Sequence, residues 1–372
     1  SVPVGSYTCA AAHYPFCAAT FDAVNKTFTH TWGDAYCSTD LAAYDFMFST
    51  VYETPFVVDE TTTVLPIALT FRPLMARIGM KLALGANETP KYVTFTTDDN
   101  VLPTAGTVNA DGTFSASALT NSLTVETDRK EFTVGLLPVG VASKMSVHVT
   151  TTDGMTYSDK SFQLAGLKRN THYTMNVPSR TKRFMLTVPD GVNSKYGTGT
   201  YGDNGFFQVE PQYDPESIFD GWHFLRSEIK SDKDAADGDV LKNRNRIQLQ
   251  AVSLGTNRAQ NGAFVTPPIQ CDGTKTVTVS FTAATNTIIA NPVEYRIGVT
   301  NNGADISENF LRSFDNIQSS ETGTCPWRYS GSVSRTHTFT VTNGQRIMMK
   351  VYSSGGGTPC HLELADFTYT VE

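Results

Sequence analysis

Charge is scarce in this sequence: only 17% of its 372 residues are Asp, Glu, Lys or Arg, and the formal balance is -7. Nucleic acid and anionic membrane surfaces both need clustered Lys and Arg, so the balance argues against either as a partner. The clearest basic stretch, Arg180, Lys182 and Arg183, reads as a solvated linker. Long apolar runs are missing too. None approaches the roughly 18 residues that cross a bilayer, so membrane attachment is expected only through a lipid anchor outside this sequence. No leader precedes Ser1, as expected of a mature or trimmed chain.

Catalytic signatures are also lacking. There is no GxSxG, HExxH or paired-carboxylate motif, and the seven histidines are scattered. His148 and His172 fall at strand positions, where a structural role is expected. The chain is therefore expected not to be an enzyme, and no cofactor is expected. No CxxC occurs, and His13, midway between Cys9 and Cys17, has no second pair to complete a tetrahedral zinc site. The six cysteines fall three in the first 40 residues and three near the end, Cys271, Cys325 and Cys360. One disulfide in each half with a spare thiol is expected, and Cys325 with Cys360 is the pairing expected for the second half.

What the chain has in quantity is Thr, Gly, Val, Tyr and Phe, the usage of strands and turns. Period-two alternation, the mark of a half-buried strand, recurs almost throughout. Ile67, Leu69 and Phe71 alternate, then Ile78, Met80, Leu82 and Leu84 after Pro73. Further runs include Val93 and Phe95, Leu123 and Val125, and Met145, Val147 and Val149. Asp111-Gly112 and Asp153-Gly154 are tight-turn dipeptides. Residues 61–178 thus hold enough short strands for one sandwich. Residues 1–60 hold three, around Gly5 to Tyr14, Asn25 to Trp32 and Leu41 to Ser49. Three strands do not close a sandwich, so they must complete another sheet, pack on the next domain, or belong to a partial module.

Residues 179–200 turn to Gly, Ser, Thr, Lys and Asp around one short apolar strand and read as a connector. In residues 201–372, Val277, Val279 and Phe281, then His337, Phe339 and Val341, then Ile347, Met349 and Val351 alternate between turns such as Asn301-Asn302-Gly303 and Asn343-Gly344. That pattern indicates a two-sheet antiparallel jelly roll. Its last run, Leu362 and Leu364 followed by Phe367, Tyr369 and Val371, shifts phase at Ala365 and Asp366, as a β-bulge would make it do. Asp232 to Val240 reads as an exposed loop.

The stretch from Leu69 to Leu82, a buried strand, a basic residue after a small one, then a second strand, resembles the fimbrillin (major-fimbrial-subunit-like) family of Bacteroidetes surface proteins. Leu136-Leu137-Pro138, the strand with Asp153-Gly154 and Tyr157, the closing Leu167 to Tyr173, and the opening Val4 to Tyr7 agree with it in order. The resemblance covers residues 1–178. It implies transthyretin-like sandwiches, export as a lipoprotein, and polymerisation by donation of a strand into a neighbour's groove. The C-terminal half is similar instead to galactose-binding-like jelly rolls, through Arg246 to Gln250, Lys275 to Phe281, Gly344 to Ile347 and Cys360 to Phe367. The expected fold is all-β, tandem antiparallel β-sandwiches followed by a jelly roll. The chain ends directly after a strand of that jelly roll, which favours a fimbrial tip over a shaft.

Sugars are held by an aromatic face and a few polar groups. Trp327, Arg328 and Tyr329 in a Pro/Gly-bounded loop, and Trp222 after Asp220-Gly221, are the candidate ligand residues; Trp222 weighs more heavily as a core anchor. Asp203, Asn204, Glu363 and Asp366 could supply oxygens to a structural calcium, against the more ordinary role of solvated turn residues. The Thr276, Thr278, Ser280 row and the Thr336 to Thr342 row read as a solvated sheet face. The expected role is an extracellular fimbrial adhesin at the outer-membrane surface, meeting other fimbrial subunits and a host or bacterial surface glycan or protein. The rival is a glycan-binding lipoprotein that does not polymerise.

Overall fold

A computed structural model describes residues 3–14, 18–44, 46–62, 64–109, 111–158, 162–178, 181–187, 206–208, 219, 221–230, 240–241, 244–251, 261–285, 293–300, 306–326, 331–353 and 360–372. Among them almost every element is a strand; the helices are the single turns Leu41–Tyr44 and Glu308–Arg312. No helix among the described residues is long and apolar enough to cross a membrane. The chain divides into two compact units. Unit 1 comprises Ser1–Leu84, Thr89–Thr150 and Ser158–Ser179; unit 2 comprises Gly85–Glu88, Thr151–Tyr157 and Arg180–Glu372.

In unit 1 the Ala76–Leu82 strand shows why alternation is decisive. Ala76, Ile78, Met80 and Leu82 are buried while Arg77 and Lys81 face out. It pairs antiparallel with Glu131–Leu136 and parallel with His172–Val177. A second sheet runs Ser122–Glu126, Pro90–Thr97, Ser143–Thr151, with Phe162–Leu164 also paired to Ser143–Thr151. Val93, Phe95, Leu123, Val125, Met145 and Val147 are its buried set.

The N-terminal strands do complete other sheets. Thr27–Thr31 pairs with Leu102–Val108, and that strand pairs with Phe114–Thr120 across the turn at Asp111-Gly112, where Gly112 takes φ +82°. Met47–Ser49 pairs with both His13–Tyr14 and Phe71–Pro73. Residue 60 is therefore not a boundary within unit 1, because short strands find their hydrogen-bond partners beyond it. The strand expected from Leu41 begins instead as a helical turn, where Asp40 accepts from the Ala43 N–H at 3.2 Å.

Unit 2 is a two-sheet sandwich. The long Cys360–Val371 strand pairs along one side with Lys182–Met185 and then Arg246–Ala251, and along the other with Thr274–Thr285. Ser227–Lys230 and Val333–Thr342 extend this sheet. The second sheet runs Phe206–Gln208, His223–Leu225, Ala263–Val265, Ile347–Ser353, Val293–Val299, Gln318–Cys325. One apolar cluster fills the space between the sheets, drawing Phe184, Val279, Leu364 and Tyr369 from the first and Phe264, Tyr295, Ile297 and Met349 from the second. The outer face of the second sheet is covered as well. Met348, Leu225 and Val265 pack there with Leu311, Phe310 and Phe314 of the Glu308–Arg312 turn and its flanks. The phase shift read at Ala365 and Asp366 is a bulge: Ala365 faces Thr282 and Thr368 faces Ser280, leaving two residues opposite Phe281, with Asp366 at φ +51°.

Of the basic stretch read as a solvated linker, Arg180 lies outside the described residues and Arg183 is exposed, but the reading of Lys182 is corrected. Strand parity turns Lys182 inward, and it is 1% exposed. Its ammonium donates to Asp153 Oδ2 at 2.8 Å, lies 3.1 Å from Glu88 Oε1, and also donates to the Gln270 carbonyl. Tyr157 donates to the same Glu88 oxygen at 2.5 Å. Burial alone would raise the Glu88 carboxyl, but Tyr157, the Lys182 charge and the Gly85 N–H outweigh it and hold it below the usual range. The Gly85–Glu88 turn is itself pinned by Asp272, which accepts from the Ala86 and Asn87 N–H groups at 2.7 and 3.1 Å. A Cβ on Gly85 would sit 2.4 Å from that carboxylate and would displace it, so glycine permits the approach.

The cysteine expectation is also corrected. Cys9, Cys37, Cys271 and Cys325 are free thiols, so Cys325 is not joined to Cys360. Burial pushes both the Cys37 and Cys325 thiols up to about 12.

Candidate functional site

A cavity of about 530 Å³ opens in unit 2 where the edges of its two sheets meet. Four strands build it. Val293–Val299 supplies Glu294 and Arg296; Gln318–Cys325 supplies Thr322, Gly323 and Thr324; Val333–Thr342 supplies Arg335, Thr336 and His337; Ile347–Ser353 supplies Tyr352. On Val293–Val299 the alternation sends Tyr295 into the core and leaves its neighbours Glu294 and Arg296 for the cavity.

A register slip makes the wall aromatic. Glu294 faces Ser353 and Tyr295 faces Val351, so Tyr352 is the unpaired extra residue, and a bulge of this kind redirects a side chain. The Tyr352 ring lies 5.3 Å from the Arg296 guanidinium carbon, and the Phe314 ring lies 5.6 Å from it, with the two rings edge to face. Arg296 has no carboxylate or carbonyl partner among the described residues, and its Nε is buried without one. Its contacts are with ring faces, which leaves its in-plane N–H groups available.

Two cross-sheet links hold the rim. Arg335 donates to the Thr324 carbonyl at 2.8 Å, and His337 Nδ1 lies 2.5 Å from Glu321 Oε2. The other His337 nitrogen is 2.9 Å from the Tyr295 hydroxyl. With Nδ1–H donating to the carboxylate, Nε2 accepts from the tyrosine. A carboxylate, imidazole and hydroxyl in line resemble a nucleophile relay, but Tyr295 is 0% exposed and its hydroxyl is pushed well above its ordinary range by burial. The chain of bonds is thus an internal brace. Gly323 makes room for it, since a Cβ there would stand 2.2 Å from the Tyr295 oxygen.

The residues read from sequence fall elsewhere. Trp222 is fully buried, ringed by Phe184 at 4.9 Å, Phe219 at 5.3 Å and Phe264 at 5.4 Å. No ring face is left for a sugar, so its place as a ligand residue is corrected to that of core anchor. Glu363 is 0% exposed and accepts from Arg246 at 2.9 Å and Gln248 at 3.2 Å, whereas Asp366 is paired with Arg244. Their oxygens are committed to different cations, and no group of three or more metal-binding side chains occurs among the described residues. Asp203, Asn204, Trp327, Arg328, Tyr329, the Asn301-Asn302-Gly303 turn and residues 231–239 lie outside the described residues. The threonine rows do face out, with Ser280 and Thr336 hydroxyls 3.2 Å apart.

Unit 1 carries a different opening, an apolar groove of about 710 Å³ lined by Tyr7, Phe21, Phe56, Val58, Val64, Leu65 and Ile67. Val64 is 82% exposed. Gly5–Tyr7 and Phe56–Val58 form a two-stranded sheet on the wall of this groove.

No curated protein sequence matches the chain. Among solved structures, a candidate cell adhesion protein of Bacteroides ovatus is 22% identical, with a TM-score of 0.32 over 48% of this chain and 64% of that one. Another from Bacteroides uniformis is 17% identical, with a TM-score of 0.32 over 45% of this chain and 66% of that one. A carbohydrate-binding module of family 4 is 15% identical, with a TM-score of 0.27 over 41% of this chain and 94% of that one. The chain therefore spans about two thirds of the length of the two adhesion proteins it matches. The fimbrillin-like family model matches residues 4–189, half of the sequence. With its all-β unit 1 inside that match, the chain belongs to the fimbrillin-like family.

Proposed function

We propose that this protein is a cell-surface fimbrial subunit in which unit 1 joins the polymer and unit 2 is the recognition head, placed at a tip or as a minor adhesin. The observation that supports it is the end of the family match at residue 189, while most of unit 2, a sandwich with its own core and its own polar cavity, lies beyond that point. In unit 1, the apolar groove is the kind of surface an added strand fills, since a donated strand gains main-chain hydrogen bonds and buries alternate side chains. In unit 2, an Arg, an aromatic ring and hydroxyls around a cavity of this size suit a sugar or a short polar segment of a partner. No step of this role needs bond chemistry, in keeping with a non-enzymatic protein. Immunogold microscopy of intact cells tests the assignment. Gold confined to fibre ends or sparse along fibres is expected; dense, regular labelling along whole shafts would overturn the tip placement, and label on cells without fibre association would favour a surface glycan-capture protein that does not polymerise.

A further inference from the structure

The proposed head raises a question of ligand class, and Arg296 bears on it most. A guanidinium in a cavity is ordinarily matched by a carboxylate, because an unpaired charge taken from water is costly. Arg296 lacks that match: its neighbours are the rings of Phe314 and Tyr352, 5.6 and 5.3 Å away. Arg335, on the same cavity, is satisfied by a neutral carbonyl and likewise has no carboxylate partner among the described residues. Lys350 lies directly across the strand pair from Arg296 and 5.3 Å from the Phe314 ring. Its ammonium, which donates to the Asn261 carbonyl at 2.9 Å, is depressed to about 7 by burial and then by the charges of Arg312 and Arg226.

We propose that the cavity binds an acidic sugar, one carrying a carboxylate or a sulfate ester, with Arg296 as the group that receives the anion. A planar fork whose contacts lie on ring faces presents its edge N–H groups, which match two anion oxygens. The Thr322, Thr324 and Thr336 side chains and the Glu294 carboxylate supply partners for ring hydroxyls.

This inference rests on unit 2 being a recognition head. The test is calorimetric titration of the full chain with three probes: a galacturonic acid trisaccharide, a sulfated galactose trisaccharide and a neutral galactose trisaccharide. At least tenfold tighter binding of one or both acidic probes than of the neutral one is expected, weakening as salt rises. Arg296→Met, which keeps a chain of similar length against the rings, is expected to lower acidic-probe affinity at least tenfold with near-ultraviolet dichroism unchanged, and Arg296→Lys to restore only part. Which acidic probe wins separates carboxylate from sulfate. Equal binding of acidic and neutral probes, or an Arg296→Met protein that keeps full affinity, would overturn the acid assignment while leaving the head reading in place. Binding of none of the three at millimolar concentration would overturn the assignment of this cavity, and silence across a broad glycan panel would remove the glycan-recognition head with it.

Discussion

Replacing Lys182 by Met should cost unit 2 about 3–5 kcal/mol at pH 7, the range for removing one partner of a buried ion pair. The structure sets that size. Lys182 is 1% exposed, and its ammonium is held between Asp153 at 2.8 Å and Glu88 at 3.1 Å. Charges about 3 Å apart attract by roughly 5–6 kcal/mol at an effective dielectric of 20, and the cost of taking them from water offsets much of it. Methionine restores the packing but leaves two buried carboxylates with no cation between them. Without the lysine charge, burial should raise the Glu88 carboxyl above its unfolded value. A carboxyl raised in the fold takes up its proton earlier than the unfolded chain does, so the variant regains stability as pH falls through that raised value, by about 1.4 kcal/mol per pH unit per group. In the wild type the sign is opposite for Glu88, whose carboxyl is held low: its stabilisation is present above the unfolded value and lost as pH falls through the folded one. Urea titration followed by near-ultraviolet dichroism, at pH 7 and pH 5, reads both effects. A second variant, Lys182→Met with Glu88→Gln, should recover part of the loss. A loss under about 1 kcal/mol, with wild-type and variant profiles running parallel in pH, would refute the reasoning.

Other consequences can be checked in the same way. Lys350, depressed to about 7, binds a proton in the unfolded but not the folded chain between that value and its ordinary one, so wild-type stability should rise with pH there by about 1.4 kcal/mol per unit relative to Lys350→Met; denaturation at pH 7.5 and 9 measures the difference, and equal slopes would contradict it. His223, buried and depressed to about 4 by burial and then by Arg346, should destabilise the fold as pH drops from about 6.5 to 4, and His223→Gln should flatten that limb in thermal scans. Gly323→Ala, which drives a Cβ to 2.2 Å from the Tyr295 oxygen, should cost about 1–3 kcal/mol and shift the tyrosine dichroism. Trp222→Ala, at the centre of six aromatic neighbours in the core, should cost about 3–5 kcal/mol.

Much of this architecture was legible in the sequence because a two-residue period reports which face of a strand is buried. The Ala76–Leu82 strand, the turn at Asp111-Gly112 and even the bulge at Asp366 follow from it. The same period says nothing about which strand lies alongside. Thr27–Thr31 therefore could not be matched to Leu102–Val108, nor the Gly85–Glu88 turn to Asp272, 184 or more residues away along the chain. Lys182 was misread for a related reason: composition marks a lysine as exposed, and only the convergence of Glu88, Asp153 and Gln270 makes its burial affordable. The cavity was hidden further, because its four walls come from four strands, and Tyr352 joins them through a slip of register. The one local clue was Glu294-Tyr-Arg, two charges flanking an aromatic on an otherwise apolar strand.

The division into a fimbrillin-like stem and a recognition head is tested most directly by glycan-array binding of the labelled full chain. Retention on a defined subset of surface glycans, lost in Arg296→Met but kept in Trp222→Phe, is the predicted result. A folded protein that leaves the array blank would contradict it, whereas a signal indifferent to Arg296 would overturn only the acidic-sugar assignment.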